Sequence, residues 1–166
     1  MMKNSKQSGY SLIELVVYIA IFAFFAITMT RSLLTVMRTY ASAKTYRTLQ
    51  TNGELIMERI SREIRDATII TSATYDINPG ALALSGVDSN NAVRTASFTI
   101  SGDTIQINDN GTVGTLSTSD VDVSNLIFRR MITSVGNVIK VELNLTTTRG
   151  NIASATFYNT IAIRGR

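Results

Sequence analysis

The sequence contains no cysteine, no histidine and no tryptophan, and it has one proline among 166 residues. Without thiol and imidazole groups it cannot form a cysteine nucleophile, a Ser-His-Asp triad or a zinc site built from Cys and His. Disulfide bonds are excluded for the same reason. These absences remove most hydrolase and metalloenzyme mechanisms from consideration.

The charge is positive but unevenly distributed. The chain carries 16 basic and 12 acidic side chains, a formal net charge of +4. Such a balance can indicate binding to nucleic acid or to an anionic membrane. Seven bases and four acids lie in residues 31–66, whereas residues 67–166 hold seven of each. Since the C-terminal region is neutral, the charge does not predict tight nucleic-acid binding.

One long apolar segment lies near the N-terminus, where residues 15–29 read LVVYIAIFAFFAITM. Residues 10–30 would form a helix of about 30 Å, which is enough to cross the hydrocarbon core of a bilayer. Glu14 lies in the first third of this segment, where a carboxylate costs about 2 to 3 kcal/mol of insertion free energy. A secretory signal peptide or a plain signal anchor would explain the length but would leave Glu14 without a role.

The residues before this segment form a specific pattern. Residues 6–15 read KQSGYSLIEL. Lys3 and Lys6 give the segment before Gly9 a basic character, and Gly9 is followed by the aromatic Tyr10 and by the Leu-Ile-Glu sequence that opens the apolar helix. This pattern resembles the processing site of type IV prepilins and type II secretion pseudopilins. The nearest base is three residues before Gly9, whereas many relatives have it immediately before the glycine.

The resemblance implies a processing pathway. A membrane prepilin peptidase would remove the leader, residues 1–9, by cleaving between Gly9 and Tyr10, and Tyr10 would be N-methylated. Residues 10–30 would then be a transmembrane helix that becomes the core of a filament. The implied partners are the prepilin peptidase, other pilin or pseudopilin subunits and an inner-membrane assembly platform.

Glu14 would then lie four residues from the new amine of Tyr10, on the same helix face. That amine has a pKa near 8 and is largely protonated at pH 7. At an effective dielectric constant of about 20, a contact of about 4 Å is worth roughly 4 kcal/mol before desolvation. We therefore expect Glu14 to act in assembly by pairing with the amine of its own or a neighbouring chain. The alternative is a carboxylate that reaches the membrane interface and has no partner.

Beyond the apolar segment the pattern becomes amphipathic, which predicts that residues 31–70 continue the helix to about Ile70. Arg59 and Glu63, and likewise Glu58 and Arg62, are spaced as i,i+4 ion pairs on its polar side. The apolar positions follow one another in steps of three or four: Leu33, Met37, Tyr40, Ala41, Leu49, Gly53, Ile56, Ile60, Ile64 and Ala67.

Residues 71–166 are rich in Thr, Ser, Val and Ile with alternating polarity, which predicts antiparallel strands and a β-rich head. Strands at residues 96–100 and 104–107 would form a hairpin around Gly102. The further predicted strands are residues 121–133, 137–147 and 154–164. The expected fold class is α+β, with a long N-terminal helix packed on a C-terminal antiparallel β-sheet head, as in the pilin ladle fold.

Three less specific matches indicate a subgroup of this family. Residues 59–67, 116–128 and 157–164 are similar to minor pseudopilins of the J type and to minor pilins of the W type. They imply a minor structural subunit of a secretion pseudopilus or type IV pilus, and not an enzyme. It would be single-pass in the bacterial inner membrane, with a cytoplasmic N-terminus, before entering a periplasmic or cell-surface filament. The alternatives are a minor pilin for DNA uptake or adhesion, and a signal-anchored surface domain unrelated to filaments.

The head offers weaker candidate sites. Asn108–Gly111 could be half of a calcium loop, but Gln106 and Ser117 stand where an EF-hand needs its first and last ligands, so we expect a turn and no cofactor. Asp120 and Asp122 are more consistent with surface carboxylates than with a glycosidase pair. A basic surface for DNA would use Arg94, Arg129, Arg130, Arg149 and Tyr158.

Overall fold

The computed structural model describes residues 11–87, 90–133, 136–148, 150 and 152–163. Within these ranges one helix precedes eight strands. The chain divides into two units, which meet between Ala41 and Ser42 along the sequence. The predicted α+β class, with a long N-terminal helix followed by antiparallel β-structure, is confirmed.

Helix α1 spans Leu12–Asp66. Its residues 12–52 include no glycine and no proline, so nothing in that stretch interrupts the backbone hydrogen bonds. The helix ends four residues earlier than the periodicity predicts. Because residues 68–71 read Thr-Ile-Ile-Thr and β-branched side chains favour extended backbone, Ala67–Ala73 forms strand β1 instead. The expectation of a helix to Ile70 was therefore wrong.

In the first unit, the described residues 11–41 are exposed throughout. Leu33, Met37 and Tyr40, which the periodicity assigned to an apolar stripe, are among them. Several threonines in this half of α1 donate their hydroxyl groups to carbonyl oxygens one turn earlier, so that these groups are satisfied without water: Thr28, Thr30, Thr35 and Thr39.

The second unit contains two antiparallel sheets. The first is a five-stranded meander in the order β1 to β5. Its strands are β1 (Ala67–Ala73), β2 (Leu82–Val87), β3 (Val93–Ser101), β4 (Thr104–Asp109) and β5 (Thr112–Thr115). The second sheet has three strands, β6 (Val121–Thr133), β7 (Gly136–Thr147) and β8 (Ser154–Ala162).

The hairpins follow their turn residues. Gly102, with a φ of 60°, lies in the predicted turn between β3 and β4. The predicted turn at Asn108–Gly111 is confirmed in a tighter form, because only Asn110 and Gly111 separate β4 from β5. Their φ values of 50° and 87° suit the mirror-image turns that two-residue hairpins prefer, in which asparagine and glycine are favoured.

The core of the second unit lies between the C-terminal half of α1 and both sheets. The helix contributes the predicted stripe, and the sheets contribute the inward side chains of alternating residues. The two sheets are connected by a bridge between Tyr75 and Phe128 and by the Val123 amide, which donates to the Asp103 carbonyl at 2.8 Å. Fully buried large side chains include Leu49, Ile56, Ile60, Ile64, Phe98, Ile105, Leu126, Phe128, Ile139 and Leu143.

Candidate functional site

The start of α1 places the candidate processing segment directly before a helix. The carbonyl oxygen of Ser11 accepts hydrogen bonds from the amides of Glu14 at 3.0 Å and Leu15 at 3.2 Å. Glu14 is exposed in the first helical turn, where the helix dipole favours a carboxylate. Gly9, Tyr10 and the leader lysines Lys3 and Lys6 lie outside the described residues. The pairing of Glu14 with the Tyr10 amine therefore stays a prediction.

The apolar surface that follows Glu14 is unusual for a folded protein. Within the described chain, α1 is long and apolar enough to cross a membrane, and its most apolar window has no residue buried. Phe22, Phe24 and Phe25 all face outward, with 75%, 66% and 56% of their surface exposed. A helix that is apolar all round belongs in a bilayer or inside an assembly.

The second cluster of functional groups lies in the head, where two arginines and two carboxylates meet. Arg94 on β3 forms a two-point contact with Asp109 on β4, with its Nε 2.9 Å from Oδ1 and its Nη2 2.6 Å from Oδ2. The same Nη2 lies 2.9 Å from Oε1 of Glu63 on α1. Arg59 Nη2 completes the cluster, 3.0 Å from Glu63 and 3.2 Å from Asp109.

The cluster contains two arginines and two carboxylates, and its contacts shift the pKa values of Arg94 and Asp109. The hydrogen bonds that Arg94 donates hold the pKa of the Asp109 carboxyl below its usual value, although partial burial opposes the shift. The bond to Asp109 likewise raises the pKa of Arg94 above its ordinary range. Arg94 and Asp109 are therefore both ionised at neutral pH, in a network that connects the helix to two strands.

The sequence predicted only part of this cluster. The spacing of Arg59 and Glu63 indicated an ion pair, and that pair is present. Its predicted position on the polar side was wrong, because Glu63 is only 5% exposed and faces the sheet. The contributions of Arg94 and Asp109 were missed, since they lie 31 and 46 residues beyond Glu63 and no local pattern links them.

The weaker candidates in the head have structural roles. The Asp109 carboxylate is held by two arginines, and Oδ1 of Asn110 accepts the Thr95 amide at 2.8 Å. Across the described residues, no group of three or more Asp and Glu side chains could hold a metal ion. Arg94 belongs to the ion cluster, whereas Arg129 lies 3.6 Å from Asp76 and 3.9 Å from Glu142. Two of the four arginines of the candidate DNA surface are therefore paired with acids, whereas Arg130 is exposed and Arg149 lies outside the described residues.

Comparison with known proteins concerns only the N-terminal segment. Residues 4–30 match the family described as the prokaryotic N-terminal methylation motif. No curated protein and no solved structure matches the chain significantly. The matched residues include the candidate processing site, Glu14 and the apolar half of α1. The chain therefore carries the N-terminal methylation motif typical of type IV pilin-like precursors, on a helix that is apolar and long enough for membrane anchoring.

Proposed function

We propose that the protein is a structural subunit of a type IV pilin-like filament. In this proposal a prepilin peptidase cleaves between Gly9 and Tyr10, and Tyr10 is N-methylated. The mature chain then moves from the membrane into the filament. The observation that carries the proposal is the methylation motif at residues 4–30, which continues directly into an apolar helix exposed on every side.

The packing of α1 supports a move of its apolar half from the membrane into a filament. Its residues 12–30 span about 28 Å at 1.5 Å per residue, close to the thickness of the hydrocarbon core. The buried core of the second unit begins at Thr45, so it includes none of the described residues before that position. The apolar surface of residues 12–30 is therefore available for lipid in the membrane and for neighbouring helices in an assembly.

Glu14 has a specific role in this proposal. Its carboxylate would pair with the methylated amine of Tyr10, in its own chain or in the chain next to it. Because a lone carboxylate is costly in an apolar environment, the contact would favour one axial position of each subunit over the others. Glu14 is thus an assembly residue and not a catalytic acid.

The finer assignment is a minor subunit of a type II secretion pseudopilus or a type IV pilus, most similar to the J and W types. It is supported by the three short segments that resemble those subunits. The residues 12–52 of α1 also lack the glycine or proline that major pilins usually carry. We propose a single-pass precursor in the bacterial inner membrane, with its N-terminus in the cytoplasm, its head outside and an assembly platform as partner.

Mass spectrometry of the N-terminus tests the proposal most directly. Protein purified from native membranes should begin at Tyr10 and carry one added methyl group on its amine. A Gly9→Leu variant is the matched control, because a bulky side chain at the cleavage site should leave Met1 or Met2 as the first residue. A native protein that begins at Met1, or after Ala26 as for a signal peptide, would contradict the proposal.

A further inference from the structure

Although the head has no net charge, its acidic and basic side chains are separated along the sequence. Residues 67–120 contain one basic and five acidic side chains, a net charge of −4. Residues 121–166 contain six basic and two acidic side chains, a net charge of +4. Most of the acids thus lie in the part that forms the five-stranded sheet, and most of the bases in the part that forms the three-stranded sheet.

The basic charge is exposed where β6 ends. Arg130 donates from Nε and Nη2 to Oδ1 of Asn137, at 3.2 and 2.9 Å, and it forms no ion pair with any residue that the structure describes. Its side chain lines an open cleft together with Ile69 and Ile163. Ile132, two residues further along the same face of β6, is 79% exposed. We call this surface, formed by Arg130 and Ile132, the basic end.

An acidic surface lies where β6 begins. Asp103 is exposed in the β3–β4 turn. Its backbone carbonyl oxygen accepts a hydrogen bond from the Val123 amide, so Asp103 lies beside Asp122, the residue before Val123. Neither Asp103 nor Asp122 belongs to an ion pair among the residues that the structure describes. We call this surface, formed by Asp103 and Asp122, the acidic end.

The two ends cannot meet within one molecule. Asp122 and Arg130 are eight residues apart on one strand, about 26 Å at 3.3 Å per residue. Within a single head the opposite charges are therefore too distant to pair, and screening at physiological ionic strength reduces their attraction to little. In two heads placed one behind the other, the same charges can come into direct contact.

We propose that the acidic end of one head docks on the basic end of a second copy of this chain. The carboxylates of Asp103 and Asp122 would face Arg130, and Ile132 would add an apolar contact. A head-to-tail contact of this kind uses two different surfaces, so it propagates into an open filament and does not close into a dimer. Complementary charges of this type mainly determine register and partner choice.

This inference rests on the proposed function, since the contact would set the spacing of heads in the filament. It requires at least two successive copies of the chain. A subunit of low abundance still meets that requirement if its copies are incorporated one after another. The contact is additional to the pairing proposed for Glu14, which lies in the apolar helix.

Disulfide cross-linking between copies tests the contact cleanly, because the natural chain has no cysteine. One full-length copy carries Ser101→Cys, next to the acidic end, and a differently tagged copy carries Ile132→Cys at the basic end. Both are expressed together in native membranes, and an oxidant is added. We expect a mixed dimer, and we expect no dimer when either variant is expressed alone.

Val93→Cys is the matched control for exposure, because Val93 is 74% exposed at the opposite end of β3 from Ser101. Paired with Ile132→Cys, it should give no mixed dimer. Adding Arg130→Glu to the Ile132→Cys copy should reduce the mixed dimer about tenfold. Adding Asp103→Arg to the Ser101→Cys copy should then restore it, which a misfolded head would not permit.

Several outcomes would overturn the inference. The first is a dimer formed by Ser101→Cys alone. The second is a mixed dimer whose yield does not fall when Arg130→Glu is added. The third is a cross-link from Ile132→Cys only to a different protein. The N-terminus is analysed in the same samples. If Tyr10 is methylated and the mixed dimer is absent, this contact fails and the proposed function stands. If the chain begins at Met1 and the mixed dimer forms, the proposed function fails and the contact stands.

Discussion

At the scale of single residues, Glu63 shows how a carboxylate can be buried against a sheet. It lies between the guanidinium groups of Arg59 and Arg94, at 3.0 and 2.9 Å. Burying a charge costs free energy unless it is paired and hydrogen-bonded. Because Asp109 supplies a second carboxylate, each arginine faces two acids and the cluster has no net charge. The network therefore satisfies the buried charge of Glu63 where α1 meets the sheet.

Replacing Arg94 with methionine should destabilise the head. The Arg94→Met variant keeps much of the side-chain volume but leaves Glu63 and Asp109 with Arg59 as their only cation in the cluster. We expect the free energy of unfolding to fall by about 2 to 4 kcal/mol, as for a partly buried ion pair that loses one partner. Urea unfolding of the full-length protein in detergent, followed by circular dichroism, measures the change.

Arg62→Met is the matched control for this prediction. Arg62 pairs with Glu58 at 2.6 Å on the same helix, but the two side chains are 60% and 64% exposed. An exposed pair of this kind contributes less than about 1 kcal/mol. Equal losses of stability in the two variants would show that the buried network has no special importance.

At the scale of elements, the contact between α1 and β8 depends on Gly53, which has no side chain. A Cβ atom added at Gly53 would overlap the ring of Phe157. Ser61 and Asn159 reinforce this contact, because Asn159 Nδ2 donates to Ser61 Oγ at 2.8 Å. Glycine in a helix costs about 1 kcal/mol relative to alanine, and here that cost allows the helix and strand to approach closely.

The variant Gly53→Val should therefore weaken the packing of α1 on β8. We expect the free energy of unfolding to fall by about 1 to 3 kcal/mol, because the added methyl groups have no space beside Phe157. Thr51→Val places a similar side chain on the exposed face of the same helix and should change stability by less than about 0.5 kcal/mol. The urea midpoints of the two variants give the comparison.

A second substitution distinguishes overlap from a general effect on the helix. If steric overlap causes the loss, Phe157→Ala should cost less in the Gly53→Val background than in the natural chain. Additive losses would instead indicate that the two residues do not interact. That result would contradict the proposed reason for glycine at position 53.

The elements also differ in how well local patterns predicted them. The β3–β4 and β6–β7 hairpins were predicted because their alternation and turn residues are local signals. Strand β5 was missed because it has four residues, all exposed, and so shows no alternation. Strand β2 was missed because Ser85 and Gly86 weaken its pattern, and it is stabilised by β1 and β3 on both sides. The division into two sheets was not predicted either.

At the scale of the whole molecule, the chain combines a surface suited to lipid with a head that has its own core. The apolar residues 12–30 fit membrane anchoring, whereas the proposed contact between heads would use charged side chains of the second unit. The net charge of +4 is thus a sum of +2 from residues 1–9, −1 from Glu14, +3 from residues 31–66 and zero from residues 67–166. It does not describe any single surface of the molecule.

Glu14→Ala should separate membrane insertion from assembly. Removing a carboxylate makes the apolar segment easier to insert, so the variant should reach the membrane fraction as the natural protein does. Loss of the proposed contact with the Tyr10 amine should reduce incorporation into filaments by about tenfold or more. Fractionation and quantitative immunoblotting of sheared filaments measure the two effects.

Glu54→Ala serves as the control for this prediction. Glu54 is also an exposed glutamate on α1, and it accepts a hydrogen bond from Gln50 within the helix. Its removal should leave both insertion and incorporation close to those of the natural protein. Normal incorporation of Glu14→Ala would refute the assembly role of Glu14.

The sequence by itself determined the features that depend on neighbouring residues. The methylation motif, the apolar segment, the helical stripe from Leu49 to Ile64 and the turn glycines could all be identified because spacing within one element suffices. Only the tertiary structure decided which distant residues meet. Arg94 and Asp109 join Glu63, and Phe157 covers Gly53, because the strands fold back over α1, and no pattern along the chain records such contacts.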